Sequence, residues 1–386
     1  MDYSVLYNKL KKSFDPQKSF MEFEGFEVVC SMFDFKSDTN DHRLINTQIS
    51  SEKHIEISGL PDDTIKENQK FHYPVLYKNT GAKYDHAIIL LHGLNEKSWI
   101  KYLTWAFFLV ENTGHPVILF PIAFHMDRAP SLWGDLRKMS SFVDNRKILY
   151  GDLPFLTFVN VALSDRLTED PLRFYNSGYQ SAMDLTKLSS QLRNGDHPLF
   201  LKDTTVDFFA YSIGAFLAQI LLLGNPDNLY LNSKLFMFCG GAFFNEMNGV
   251  SKHIMDQLAF RRLRNYYLFH FEEDAFNNVE MKEELYGSEL GKAFVSMLAS
   301  TKLKEFRQQR LNTINGRMNS ISLAKDLVIP CKATDEKRNE FGLLEIQDFP
   351  FPYCHENPFP ILEGTNSSLV DASFENVFGK AAKFLC

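Results

Sequence analysis

Three residues far apart in the chain, Ser212, Asp326 and His355, could together carry out acyl-transfer chemistry. A serine hydroxyl is a weak nucleophile near neutral pH. It becomes useful when a neutral imidazole takes its proton and a carboxylate holds that imidazole in the right tautomer. Ser212 lies in VDFFAYSIGAFLAQILLLGNPD, residues 206–227. Val206–Ala210 is a short apolar run with a β-branched start, which suits a strand. Ile213–Leu223 is too long for a typical strand, and Gly224 and Pro226 stop it as they would stop a helix. Only Tyr211, Ser212, Ile213 and Gly214 remain to reverse the chain. Ala210 and Gly214 flank the serine two residues away on each side, so the two backbones can close up and push the hydroxyl outward, as in a nucleophile elbow. The competing reading is an ordinary helix N-cap serine.

His355 follows the last apolar run, in DFPFPYCHENPFP, where Pro350, Pro352, Pro358 and Pro360 stiffen the loop. The alternative is a surface-loop histidine. Asp326 comes directly after SISLA in SISLAKDLVIP; Asp348, near the end of a strand, and Asp335, in an expected helix, are its rivals for the carboxylate role. In an open parallel sheet such groups converge at the carboxyl ends of strands. A developing oxyanion needs two amide donors. Ile213, after the nucleophile, supplies one candidate. Leu94, after the strand HAIILLHG, supplies the other. Gly93 allows the turn there, and His92 is expected to brace it rather than react.

The elements that must position these residues form a regular series. FHYPVLYK (71–78) and HIEISGL (54–60) alternate like strands; HAIILLHG (86–93), PVILFP (116–121), VDFFAY (206–211) and KLFMFCGG (234–241) read as buried strands. SISLA (320–324) and LLEIQDF (343–349) follow, and SFENVFGKAAKFL (373–385) reads as an amphipathic helix. Apolar strands separated by helices imply an α/β fold with a mostly parallel sheet covered on both faces. Residues 1–50 read as an N-terminal extension to a domain spanning 51–386. Two stretches, 122–204 and 242–316, are too long to be plain connections and are expected as insertions. The second, with Phe243, Phe244, Phe260, Phe294 and Met297 among charges, suits a helical cap over the site; a dimer surface is the alternative.

The pieces LLHGLNE, AYSIG, AKDLVIP and YCHENPFP resemble the α/β-hydrolase superfamily of serine hydrolases, in a bacterial-type branch, over about residues 50–386. Ala210 replaces the first glycine of G-x-S-x-G, a small-for-small change. The resemblance implies a central sheet with helices on both faces and cap insertions. It also implies nucleophile Ser212, acid Asp326, base His355 and oxyanion amides at Leu94 and Ile213. The expected activity is a cytoplasmic esterase acting on a small-molecule acyl substrate, with thioesters or amides less favoured and no cofactor or metal. A binding protein that keeps the fold around a blocked pocket is the competing class. His125, Arg128, Tyr211 and Phe243 are candidate substrate-lining residues, although Asp127 and Arg128 could simply tie down the first insertion.

Composition narrows the alternatives. The 386 residues are 45% hydrophobic with a formal net charge of −7 and no long basic run, which argues against a nucleic-acid partner. No apolar stretch is long enough for a membrane span. The 5 cysteines are scattered, without a CxxC pair. No HExxH, Walker or GxGxxG pattern follows a strand. With 36 phenylalanines, more aromatic surface is present than a core of this size needs, so some is expected to line an apolar cleft.

Overall fold

The structure, a computed structural model, describes residues 2–38, 62–332, 342–361 and 366–386. Its strands are β1 (Phe20–Glu22), β2 (Val28–Lys36), β3 (Lys70–Lys78), β4 (Tyr84–Leu91), β5 (Val117–Leu119), β6 (Phe200–Tyr211), β7 (Leu235–Phe238), β8 (Met318–Leu323) and β9 (Leu343–Gln347). They form one 9-stranded sheet in the order β1-β2-β3-β5-β4-β6-β7-β8-β9. The pairs from β5 through β4, β6, β7 and β8 to β9 are parallel, and β1, β2, β3 and β5 pair antiparallel. This is the α/β-hydrolase architecture.

The apolar runs become central strands because both faces of the sheet are covered. Ala87, Ile88, Ile89, Leu90 and Leu91 of β4 are all 0% exposed. Side chains alternate between the faces: Phe208 and Ala210 enter one core, Phe209 and Tyr211 the other. On the first face lie the helices Leu172–Asn194 and Ile213–Gly224. On the second lie Tyr3–Ser13, Ile100–Thr113 and Ser367–Leu385. Much of the phenylalanine surplus is spent on this second face, where Trp105, Phe209, Phe238, Phe359, Phe374 and Phe378 pack ring against ring.

Two expectations are revised. Residues 2–36 are not an appendage: β1 and β2 belong to the main sheet, and Tyr3, Leu6 and Leu10 are buried in the second core. The boundary at residue 50 and the strand expected at 54–60 lie outside the described residues. Within 122–204, the helix Leu172–Asn194 covers the sheet through Leu185, Leu188 and Leu192. Only the part before it stands off the sheet, as the helices Leu136–Tyr150 and Val161–Glu169.

A buried cation joins that part to the second insertion. Arg146 is 0% exposed and donates to Asp256 at 2.7 Å, to Thr168 at 2.7 Å and to Asp165 at 3.1 Å. Burying a guanidinium requires this degree of pairing. The same Asp256 caps the helix Gln257–Asn265 by accepting from the amide of Ala259.

Candidate active site

β6 ends at Tyr211 and the helix begins at Ile213, which leaves Ser212 alone at the turn. Its backbone has φ +57° and ψ −121°, a conformation costly for a residue with a side chain. Close approach on both sides sustains it. A Cβ on Gly214 would lie 2.8 Å from the carbonyl oxygen of His92 and from Leu91, and one on Gly240 would lie 2.4 Å from Cβ of Ala215. Glycine at these two positions lets the helix that follows Ser212 lie against the ends of β4 and β7. Ser212 does not cap its helix with its side chain, so the N-cap reading falls.

Its hydroxyl points to a histidine instead. Ser212 Oγ lies 2.7 Å from Nε2 of His355, and Nδ1 of His355 lies 2.7 Å from Oδ2 of Asp326. The other oxygen of Asp326 accepts from the amides of Val328 at 2.8 Å and Ile329 at 2.9 Å. A carboxylate can only accept from Nδ1–H, so Nε2 is left bare to accept from the serine hydroxyl. Ser212, Asp326 and His355 are 4%, 3% and 3% exposed, so the relay is shielded from water.

The rivals for Asp326 are elsewhere. Asp348 pairs with Lys325 at 2.8 Å and accepts from Tyr353 at 2.9 Å on the surface. Asp335 lies outside the described residues.

Several supports are not visible in the sequence. Tyr211 donates its hydroxyl to the carbonyl of His355 and stacks on its ring with centroids 5.3 Å apart. Lys101 donates to the carbonyl of Glu356 at 3.1 Å and sits 4.7 Å above the Tyr211 ring. Tyr102 accepts from the amide of Gly93 at 3.0 Å and donates to Glu96 at 2.9 Å, holding the turn after β4. The position of Tyr211, directly before the serine, is the one usable sequence signal for this group.

Cys239, just past β7, completes a set with Asp326 and His355 whose ligand-type atoms lie within 4.8 Å of one another. Its chemistry does not suit a metal. Burial and the adjacent Asp326 push the thiol well above its ordinary range, so it stays protonated. The imidazole and carboxylate are already committed to each other and to backbone amides.

His92 braces its turn as expected. Nδ1–H donates to the carbonyl of Gly93 at 2.8 Å, and Nε2 accepts from the amide of Ile122 at 2.9 Å. Burial, with help from neighbouring His125, holds its pKa well below the usual value.

Three cavities meet at Leu94 and Phe174. One holds Ser212 and Ile213 with Phe244, Met255, Phe260 and Val328. A second is apolar and lined by Phe216, Ile220, Phe294 and Tyr179. A third includes Lys97, Trp133 and Arg166. Leu94 and Ile213, whose amides are the oxyanion candidates, line the same cavity as Ser212. Ile213 opens its helix, so its N–H has no intrahelical acceptor.

Of the four candidate lining residues, only His125 lines any of these cavities, and it lines two of them. Arg128 is 0% exposed, pairs with Asp184 at 2.8 Å and stacks over Phe71; it ties down the chain after β5. Tyr211 is buried and stacked against the ring of His355. Phe243 is buried beneath the guanidinium of Arg307, and its neighbour Phe244 faces the cavity instead.

Cys30, Cys239, Cys354 and Cys386 are free thiols. Among the described residues, no helix is long and apolar enough to cross a membrane.

Solved structures of similar outline include a cold-adapted esterase from an Arctic intertidal metagenomic library. It is 9% identical, with 96% of this chain and 98% of that chain covered and a TM-score of 0.41. Acetyl xylan esterase 1 from Thermoanaerobacterium sp. is 13% identical, with 98% and 92% covered and a TM-score of 0.42. A thermostable esterase from Pseudomonas putida is 10% identical, with 100% and 89% covered and a TM-score of 0.41. No curated protein matches the sequence. The family DUF6051, described as a family of unknown function, matches residues 1–386, and the chain belongs to it.

Proposed function

We propose that this protein is a serine hydrolase that cleaves a carboxylic ester through an acyl-enzyme. The observation that carries the reading is the 2.7 Å approach of His355 Nε2 to an isolated serine hydroxyl on a strained elbow. Ser212 Oγ bonds to the acyl carbon while its proton passes to His355. Asp326 stabilises the imidazolium. The amides of Leu94 and Ile213 hold the oxyanion. His355 then protonates the leaving alkoxide, the carbonyl re-forms, and water activated by the same ring releases the acid. No cofactor enters the scheme. Apolar side chains around Ser212, several from the second insertion, favour an apolar acyl group and make that insertion a cap.

Labelling with a fluorophosphonate probe, followed by mass spectrometry, tests the reading. The adduct is expected on Ser212 alone. An adduct on another serine, or none on folded protein, would sink it. A panel of p-nitrophenyl esters of rising chain length then defines the acyl preference.

A further inference from the structure

His125 follows β5 and is 7% exposed, in the wall shared by the second and third cavities. Its Nδ1 lies 2.8 Å from the carbonyl oxygen of Ala123. A carbonyl only accepts, so Nδ1 carries the proton and Nε2 presents a bare lone pair. That Nε2 is buried and has no hydrogen-bond partner. A buried acceptor without a donor is costly and rarely retained without a use. Around it the second cavity is lined mainly by apolar groups such as Phe216, Ile220 and Phe294, and the hydroxyls of Tyr175 and Ser177 in the same wall donate elsewhere, to Glu284 and to the carbonyl of Phe174.

We propose that His125 is a specificity-determining residue that accepts a hydrogen bond from a hydroxyl on the substrate, so the preferred ester carries a hydroxylated limb rather than a plain alkyl chain. The inference rests on the serine-hydrolase reading for the location of the reacting carbonyl, beside Leu94, where the cavities meet. The hydroxyl donates a hydrogen bond to the lone pair of Nε2, and no proton is transferred. Burial, reinforced by the charges of Arg128, Arg166 and Lys97, pushes the pKa of His125 down to about 4, which keeps the ring an acceptor at neutral pH. A chain lacking the hydroxyl leaves Nε2 unpaired in the complex. Sites built this way discriminate against the deoxy analogue more strongly than apolar pockets discriminate by size.

Calorimetry on the Ser212→Ala protein tests the idea without requiring turnover. The probes are unbranched alkanoates and their hydroxyalkanoate counterparts of equal length, together with the matching alcohols and diols. At least one hydroxylated probe is expected to bind about tenfold tighter than its parent, the range of one buried hydrogen bond. His125→Phe, which keeps a ring of similar bulk, should erase that ratio without weakening the parent. His125→Gln, which restores an acceptor, should recover part of it. Equal binding of every hydroxylated and parent pair, or a ratio that survives His125→Phe in protein with an unchanged melting temperature, would overturn the proposal. Failure of phosphonate labelling at Ser212 would instead overturn the hydrolase reading, whatever the binding ratio.

Discussion

Asp326→Asn is the substitution that probes the relay most sharply. The carboxylate has two distinct jobs: Oδ1 accepts from the amides of Val328 and Ile329, and Oδ2 faces His355 Nδ1 at 2.7 Å. An asparagine must keep its carbonyl oxygen on the two amides, since its NH2 cannot accept from them. The NH2 then points at His355. Two donors cannot face each other, so Nδ1 gives up its hydrogen and the ring switches to the Nε2–H tautomer. Nε2–H can no longer accept from Ser212, and the negative charge that would stabilise the imidazolium is gone. In serine proteases built on the same relay, this change of tautomer costs about 10⁴ in kcat. At about 1.4 kcal/mol per factor of ten, that is about 5.5 kcal/mol of barrier. With side-chain shape preserved, KM and the melting temperature should change little. The assay is steady-state hydrolysis of the best p-nitrophenyl ester, with Asp348→Asn as the control. Asp348 is on the surface with Lys325 and should be dispensable. If Asp326→Asn keeps activity within about tenfold of wild type, a loss far short of the tautomer penalty, or if Asp348→Asn is the crippling change, the assignment of the acid is wrong.

Other expectations follow from packing and titration. Gly240→Ala drives a methyl into Ala215, 2.4 Å away, and should destabilise the fold by about 1–3 kcal/mol; Ala215→Gly in the same chain should recover part of that in denaturant melts, and an unchanged single variant would refute the close approach. Phe294→Ala enlarges a cavity wall and should shift chain-length preference toward longer acyl groups. Phe243→Ala, in contrast, opens a core void costing about 3–5 kcal/mol and should leave that preference unchanged, so the reverse pattern would misplace the cavity. His125 and His197 are held neutral by burial, each with its pKa down to about 4. The unfolded chain takes up protons at these rings below its ordinary value of about 6.5, while the folded chain does not until about pH 4. Stability should therefore fall as pH drops through that window, by about 3 kcal/mol for His125. Denaturant midpoints measured at pH 7.5 and pH 5 in wild type and His125→Phe check this, and equal slopes in both would exclude His125 as a contributor.

What the sequence determined by itself was local. The strand, single-serine turn and helix at residues 206–224 are set by a run of apolar residues, a break and a second run with helix-stop signals. The small residues Ala210 and Gly214 make only one tight connection sterically easy. The strand ends that carry Leu94, Asp326 and His355 were legible for the same reason: central parallel strands are buried on both faces and read as uninterrupted apolar runs. Tertiary structure alone decided which polar groups meet. Arg128 and His125 are three residues apart and equally polar, yet one is held by Asp184 from a distant helix, and the other lines two cavities with its Nε2 buried and without a hydrogen-bond partner. Phe243 and Phe244 are adjacent, yet Arg307 covers the first and the second lines the space beside Ser212. The two N-terminal strands are not legible because they pair at an antiparallel edge, where one chain's register depends on a partner strand remote in sequence. Periodicity reports how a segment meets an averaged surface. The identity of the partner across that surface is set by long-range contacts, and those fix whether a polar side chain supports the fold or serves the site.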